Sequence, residues 1–391
     1  MKVLLVHVRY RQRGGEDTVF DNEVKLLSDN GIAVVPIEFS NDDIREKGLF
    51  NKLMLAMNTV WSRKYYKAIA QIIKDEEPDL VHFHNIFPLL SPSVYKACYD
   101  SKVPAVQTLH NYRWGCPAGT FFRDGKPCEL CINVGLQNSI KYSCYRNSKI
   151  TSLVVVAMIK FSRWRKLFER YVTKIVVLTN FAKNKMVEAG LPESKMVIKS
   201  NFAFTKAERT PTSGSYVLFI GRLSEEKGIK LLAEALVGTL DDIIVKVAGT
   251  GPYYDDIKHI IDNNNLKMEL LGHMESGALS NIIASSALIV VPSLCYEGFP
   301  MVILDAYSHG KPVLVADIGG LSELVVPGVT GEIFRAGSTA ALRRALVDVM
   351  SDGEKLRIMG KNAYQRYLVN YSELQNISLL RRMYTEAIEA F

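Results

Sequence analysis

Residues 287–323, ALIVVPSLCYEGFPMVILDAYSHGKPVLVADIGGLSE, leave a chain few ways to fold. Ala287 to Val291 is apolar without alternation, as expected of a strand covered on both faces in a parallel sheet. A Pro-Ser turn and Glu297-Gly298-Phe299-Pro300 follow, and then Val302, Ile303, Ala306 and Tyr307 recur at helical spacing. Pro300 suits a helix start, where its locked φ and missing donor do no harm. Gly310-Lys311-Pro312 stops that helix, and Val313 to Ala316 is the next buried strand. Gly319-Gly320 opens a further helix whose unpaired N–H groups could hold an anion. Strand, turn, helix and strand in this order predict an α/β chain built on parallel sheets.

Glu297 lies in the loop at a strand's carboxyl end, and Asp305 lies about two helical turns further on, on broadly the same side. Two carboxylates beside an anion-ready helix start fit a ligand with many hydroxyls and a phosphate, namely a nucleotide sugar. Without their neighbours they would read as a helix cap and a solvated surface charge. The stretch resembles the E-x7-E signature of the retaining glycosyltransferases of family 4. That resemblance implies the GT-B fold, two Rossmann-like domains with parallel sheets facing across a cleft. The second acid here is Asp305 instead of Glu, so its implied contact to the ribose hydroxyls is weaker than the role implied for Glu297.

The chain of 391 residues is too long for one ordinary core and suits two domains. An apolar content of 48% with 23% charged residues is that of a soluble globular protein. Its longest apolar candidates, Leu153 to Ile159 and Ala287 to Val291, are too short to span a bilayer. The apolar part of the N-terminus is only a strand's length and lacks a small-residue cleavage site, so a cytoplasmic protein is expected. The net charge of +7 is uneven: residues 1–190 hold 28 Lys+Arg against 18 Asp+Glu. A basic first half predicts an anionic partner, and with no nucleic-acid motif beside it the expectation is a membrane surface or an anionic acceptor, not nucleic acid.

In the first domain, Lys2 to Val8 reads as a central strand, followed by a loop with Gly14-Gly15, a helix stopped at Gly31, and a strand from Ile32 to Ile37. The loop lacks the G-x-G-x-x-G spacing of a dinucleotide site, which counts against a dehydrogenase. The resemblance implies that Gly14 and Gly15 let the backbone approach donor phosphates and acceptor; an ordinary tight turn is the alternative. Asn51 to Lys74 reads as one long amphipathic helix, and His82 on the next strand reads as core. His84 is nearer the strand's carboxyl end, where ligands bind in such sheets. After the strand Val103 to Leu109, the resemblance gives His110 a contact to the donor sugar or phosphate.

Cys116, Cys128, Cys131 and Cys144 fall in one insertion-like segment, 115–145, spaced C-x11-C-x2-C-x12-C. A cytoplasmic chain disfavours disulfides, which leaves a four-thiolate structural zinc site or free thiols. HNYR followed by C-P and R-D-G-K-P-C-E-x-C is similar to a subset of bacterial family 4 enzymes, and its place beside His110 implies a part in shaping the acceptor site. Between Lys141 and Lys174 stand nine basic residues and one acid, Glu169. Leu153 to Tyr171 within it has the composition of an interfacial helix on an anionic membrane, or of a helix packed on the sheet with a basic outer face.

Asn201 to Ser215 reads as a linker, after which Gly221-Arg222-Leu223-Ser224-Glu225-Glu226-Lys227-Gly228 is the second strong match to family 4. The resemblance places Arg222 and Lys227 on the donor diphosphate, the first as a bidentate fork and the second as a point charge. Surface pairing with Glu225 or Glu226 is the alternative. Glycine turns at Gly249 and Gly251, and the turn before His273, are implied to cradle phosphate and base, with Gly298, Phe299, Gly319 and Gly320 completing the donor site. The expected division is 1–203 for the acceptor-side domain, 204–372 for the donor domain, and 373–391 for a helix crossing back. Together these imply a metal-independent, retaining hexosyltransferase acting on a glycan or lipid-linked glycan at the inner face of the cell membrane. The competing readings are a nucleotide-sugar 2-epimerase of the same fold and a non-catalytic membrane-associated nucleotide-sugar-binding protein.

Overall fold

The computed structural model describes residues 1–10, 14–41, 49–204, 214–238 and 242–391. Part of the expected loop after the first strand and most of the expected linker lie outside them. The chain divides into two compact units. The first comprises 1–121, 128–201 and 374–391; the second comprises 122–127 and 202–373.

Strands of the first unit are β1 (Lys2–Arg9), β2 (Ala33–Ser40), β3 (Leu80–Asn85) and β4 (Ala105–Thr108). A two-residue-per-strand hairpin, β5 (Phe122–Arg123) and β6 (Lys126–Pro127), groups with the second unit. The first sheet closes with β7 (Lys174–Val177) and β8 (Met196–Ile198), giving the order β2-β1-β3-β4-β7-β8. Every pairing in it is parallel. Val3, Leu4, Leu5, Val6, Leu80, Val81 and Phe83 are buried, as unbroken apolar runs require when helices cover both faces.

The second unit holds β9 (Val217–Ile220), β10 (Val245–Ala248), β11 (Met268–Gly272), β12 (Leu288–Val291), β13 (Val313–Ala316) and β14 (Gly331–Phe334). Their order is β11-β10-β9-β12-β13-β14, again all parallel. The sequence therefore runs outward from β9 in one direction, then returns to β12 on its other side. Ligands of open α/β sheets bind at the carboxyl ends of the strands where that reversal occurs. Here those ends carry the loops 221–228 and 292–300.

Several elements differ from their sequence reading. The expected helix from Asn51 to Lys74 is two, Leu49–Val60 and Arg63–Glu76. The Ser62 hydroxyl caps the second by accepting from the Tyr65 N–H, and a cap of that kind starts a new helix. The basic stretch after Lys141 likewise breaks, into Lys149–Trp164 and Leu167–Tyr171, at Lys166 with φ 50°. The helix after Gly319-Gly320 is a single turn, Leu321–Leu324.

Gly249 has φ +147°, and a Cβ there would stand 1.9 Å from the Gly221 carbonyl oxygen. Gly251 faces the Leu223 backbone oxygen in the same way, at 2.4 Å. The space these glycines leave open is taken by the protein's own backbone, which holds the β9 and β10 loops together. Gly249→Ala is expected to cost about 3 kcal/mol through forced overpacking. Thermal denaturation checks this, and an unchanged midpoint would show that the two loops need not touch.

Candidate active site

The second unit brings together two residues 70 positions apart in the chain. Lys227 follows the loop of β9 and Glu297 the loop of β12, so strand order alone makes them neighbours. The Lys227 ammonium donates to both Glu297 carboxylate oxygens, at 2.6 and 2.9 Å, and the Ser293 hydroxyl donates to one of them at 2.7 Å. Glu297 is 9% exposed. Burial pulls the Lys227 ammonium toward deprotonation, but the Glu297 carboxylate outweighs it and holds the pKa above its ordinary value. Lys227 is thus a fixed cation, and its partner is Glu297, not Glu225 or Glu226.

Backbone geometry enforces the pair. Gly228 has φ +69°, and a Cβ on it would lie 1.9 Å from the Pro292 carbonyl oxygen. The Leu294 N–H donates to the Glu226 carbonyl oxygen at 2.9 Å, closing the two loops on each other. Arg222 stands exposed on the same loop, and His273 is exposed after β11. Asp305 is half-buried on the helix Met301–Ser308. Phe299 is buried, with its ring edge-on to Tyr371 at 5.8 Å, so it packs the loop down as core. Gly319 has φ +59° and lies against Tyr296.

In the first unit, His110 follows β4 and borders a pocket with His84, Asn85, Phe87, Asn111 and Arg113. Its Nε2 is 3.0 Å from Nδ1 of His84. The other nitrogen of His84 lies 3.2 Å from Glu23, off the line of a full hydrogen bond. Glu23 also takes a hydrogen bond of 2.6 Å from Lys199, whose ammonium reaches Asn376 at 3.2 Å. Burial alone would raise the Glu23 carboxyl, but Lys199 and the histidines hold it well below the ordinary carboxylate range. The carboxylate near His84 Nε2 favours a proton on that nitrogen, the tautomer in which Nδ1 is an acceptor. In that tautomer the His84–His110 contact is donated by His110 Nε2. Sequence reading missed Glu23 and Lys199 entirely, since each looks like an ordinary surface charge in its own segment.

Gly14 is the N-cap residue of the helix Gly15–Asp29, and its N–H donates to Asp17 at 2.8 Å. Asp17 also meets His7 Nε2 at 2.8 Å. Beside them, Glu16 takes a hydrogen bond from Asn111 at 2.8 Å, and burial raises its pKa. The glycines thus end in an acid pair, Glu16 and Asp17, that aims back toward the strand ends. The HNYR motif was the available signal for Asn111.

Among the described residues, Glu23, His82 and His84 are the set whose ligand atoms lie within 4.8 Å of one another. The Lys199 ammonium already sits against Glu23 as the counter-charge, so this cluster is an internal salt bridge and not a metal centre. The four cysteines form no disulfide and no set of three at that spacing.

Residues 13–203 match the family model described as Glycosyltransferase Family 4, and residues 201–366 match that of Glycosyl transferases group 1. The two matches meet at the junction between the units. This chain is a GT-B glycosyltransferase of the family 4 type. An uncharacterised glycosyltransferase of Methanocaldococcus jannaschii is 25% identical over 99% of this chain and 98% of its own length. An Escherichia coli UDP-Gal:alpha-D-GlcNAc-diphosphoundecaprenol alpha-1,3-galactosyltransferase is 29% identical over 43% of this chain and 45% of its own. Among solved structures, the Anabaena protein HepE in complex with UDP shares the fold with a TM-score of 0.69 at 18% identity, covering 98% of this chain and 100% of that one.

Burial holds His82, His84 and His110 below the ordinary 6.5, with their mutual repulsion adding to it, and Glu23 lies below the ordinary 4.5. The unfolded chain therefore binds more protons than this glycosyltransferase does once pH drops below about 6.5. Stability is expected to be full above that pH and to fall steadily toward pH 4, by up to about 1.4 kcal/mol per pH unit for each proton of difference. Melting temperatures across that range test it; a flat profile would mean that the cluster titrates alike in both states.

Proposed function

We propose that this glycosyltransferase moves a hexose from a nucleoside-diphosphate donor to an acceptor hydroxyl, with retention at the anomeric carbon. The observation that carries the reading is the Lys227–Glu297 pair at the reversal point of the second sheet. Lys227, with the exposed Arg222, neutralises the diphosphate as the glycosidic bond breaks, and Glu297 orients the donor's sugar hydroxyls. Two cationic side chains then serve in place of a metal for the leaving group. Asp305 binds the ribose, while Gly298, the N–H groups after Gly319-Gly320 and the turns at Gly249, Gly251 and His273 frame the phosphates and base. Phe299 supports that frame from the core.

On this reading 1–203 is the acceptor-side domain, 204–372 the donor domain, and 373–391 the returning helix. His110 contacts the donor sugar or phosphate through a hydrogen bond and not as a base, and Gly14-Gly15 lets the backbone come close to the ligands. The proton of the acceptor hydroxyl passes to the leaving phosphate. UDP bound to HepE and the diphosphoundecaprenol acceptor in the name of the E. coli relative support a nucleotide-sugar donor and a glycan or lipid-linked acceptor for surface polysaccharide or glycolipid assembly.

Lys227→Ala is expected to lower kcat by about 100- to 1,000-fold, the usual loss of one charge-stabilising donor. Glu297→Ala should abolish selective donor binding in a calorimetric panel of UDP-, GDP- and ADP-sugars. Binding unaffected by both substitutions would overturn the donor site. Epimerised sugar formed without acceptor would replace the transfer reaction by epimerisation.

We also infer contact with an anionic membrane face on the cytoplasmic side. Ile150, Leu153 and Trp164 are exposed on the helix Lys149–Trp164, which packs beside the helix Leu49–Val60 with its exposed Leu53, Met54 and Met57. Apolar groups among lysines and arginines suit an interfacial helix. Co-sedimentation with phosphatidylglycerol vesicles but not phosphatidylcholine vesicles is expected, weakened severalfold in Leu153→Ser/Trp164→Ser. Equal recovery with both lipids would remove the charge argument.

A further inference from the structure

Arg113 lines the pocket of the first unit, yet the transfer chemistry described above gives it no task. The pocket lies at the carboxyl ends of β3 and β4, the side on which parallel sheets receive ligands. Its walls combine Phe87, Trp114 and Met158 with the polar Asn85, His110 and Asn111. An apolar wall with a few convergent polar groups is the usual make-up of a small-molecule site. Among the described residues that line it there is no Asp or Glu, and Arg113 is the one Lys or Arg. Burial holds His84 and His110 toward their neutral forms, so the positive charge of the lining is that of Arg113.

The guanidinium is held in place by its neighbours. Its carbon stands 4.1 Å from the Phe87 ring centroid and 5.3 Å from that of Tyr145, two rings that meet edge-on at 5.6 Å. Contact of this kind keeps the cation against an apolar face while its N–H donors stay available at the rim. Nη1 donates to the Pro117 carbonyl at 3.0 Å. The Arg113 N–H donates to Asn111 Oδ1 at 3.1 Å, which fixes the turn that carries the side chain. The Tyr10 hydroxyl and the Glu16 carboxyl are also within range of its charge. Glu16 accepts from Asn111 at 2.8 Å, and burial raises its pKa, which weakens it as a counter-ion. Arginine carries five N–H donors, so an oxyanion can still be met by two of them.

We propose that Arg113 binds the phosphate of the acceptor, the diphosphate through which a lipid carries the growing glycan. The inference rests on the lipid-linked acceptor described under the proposed function and adds the residue that recognises its anionic group. A guanidinium fork matches phosphate oxygens, and the amides and rings around it suit the sugar attached to them. His110 and Asn111 belong to the same loop as Arg113. A sugar esterified to that phosphate therefore lies beside the histidine assigned to the donor sugar. The competing assignment is an anchor for the segment 115–145, to which Pro117 and Tyr145 belong.

The test is calorimetric titration of the full-length chain with geranyl diphosphate after UDP has been added to saturation. Binding is expected with UDP present, and geraniol, which has no phosphate, should bind far more weakly. Arg113→Met should weaken geranyl diphosphate by about tenfold or more, the loss of a charge-assisted hydrogen bond, and leave UDP affinity as it was. Arg113→Lys keeps the charge without the fork and should fall between the two; it supplies the same comparison should Arg113→Met fail to fold. A lower melting temperature with geranyl diphosphate binding unchanged would make Arg113 an anchor only and overturn the proposal. So would equal binding of geraniol, displacement of geranyl diphosphate by UDP, or tighter binding of inorganic pyrophosphate, which would assign the pocket to free phosphates. If the chain takes up no UDP, the donor-site reading fails, and the same titration in Lys227→Ala without UDP still decides the role of Arg113.

Discussion

The close approach of Gly228 to the Pro292 carbonyl is the contact on which the second unit's chemistry depends. Two loops from neighbouring strands can present opposite charges to one ligand only when their backbones come almost into contact. A side chain at 228 would hold them apart by the width of a methyl group. With that space empty, the Leu294–Glu226 hydrogen bond closes the loops, and Lys227 reaches both oxygens of Glu297. The Ser293 hydroxyl donates to the same carboxylate, on an oxygen that Lys227 also reaches. The pair is already formed within the chain, as the proposed charge stabilisation without reorganisation requires.

A different principle operates in the first unit. There the strand ends are crossed by a buried chain of polar groups, from Asn376 and Lys199 through Glu23 and His84 to His110. The buried charge of Glu23 is tolerated because the Lys199 ammonium donates to it as the counter-charge. Asn376 belongs to the C-terminal helix Glu373–Glu389, so that helix contributes to the setting of a nitrogen far from it in sequence.

Much of this was legible in advance. Unbroken apolar runs gave parallel strands, and Gly-rich turns after them located the strands' carboxyl ends, because burial on both faces leaves no room for alternation. Glu297, Lys227 and His110 were visible through motif spacing. Gly249 and Gly251 were legible as special, and the structure adds a cause that the sequence did not show: a side chain on either would meet the backbone of Gly221 or Leu223. The burial of Phe299 and the length of the helix Leu321–Leu324, a single turn, were not legible. The break at Ser62 was readable in principle as a cap, yet helical periodicity on both sides of it masked the signal.

Periodicity, turn residues and motif spacing are written within short windows, so the sequence by itself determined the α/β class, the strand positions and the identity of the charged residues at the strand ends. Which of those residues meet was decided by tertiary structure alone. Strand order in the second sheet reverses at β9 and β12, placing partners 70 positions apart against each other. Glu23, Lys199 and His84 come from three separate elements and acquire their roles only when burial removes water as an alternative partner. A charge in a helix pattern carries no mark of that, because the desolvation that makes it matter comes from neighbours elsewhere in the chain.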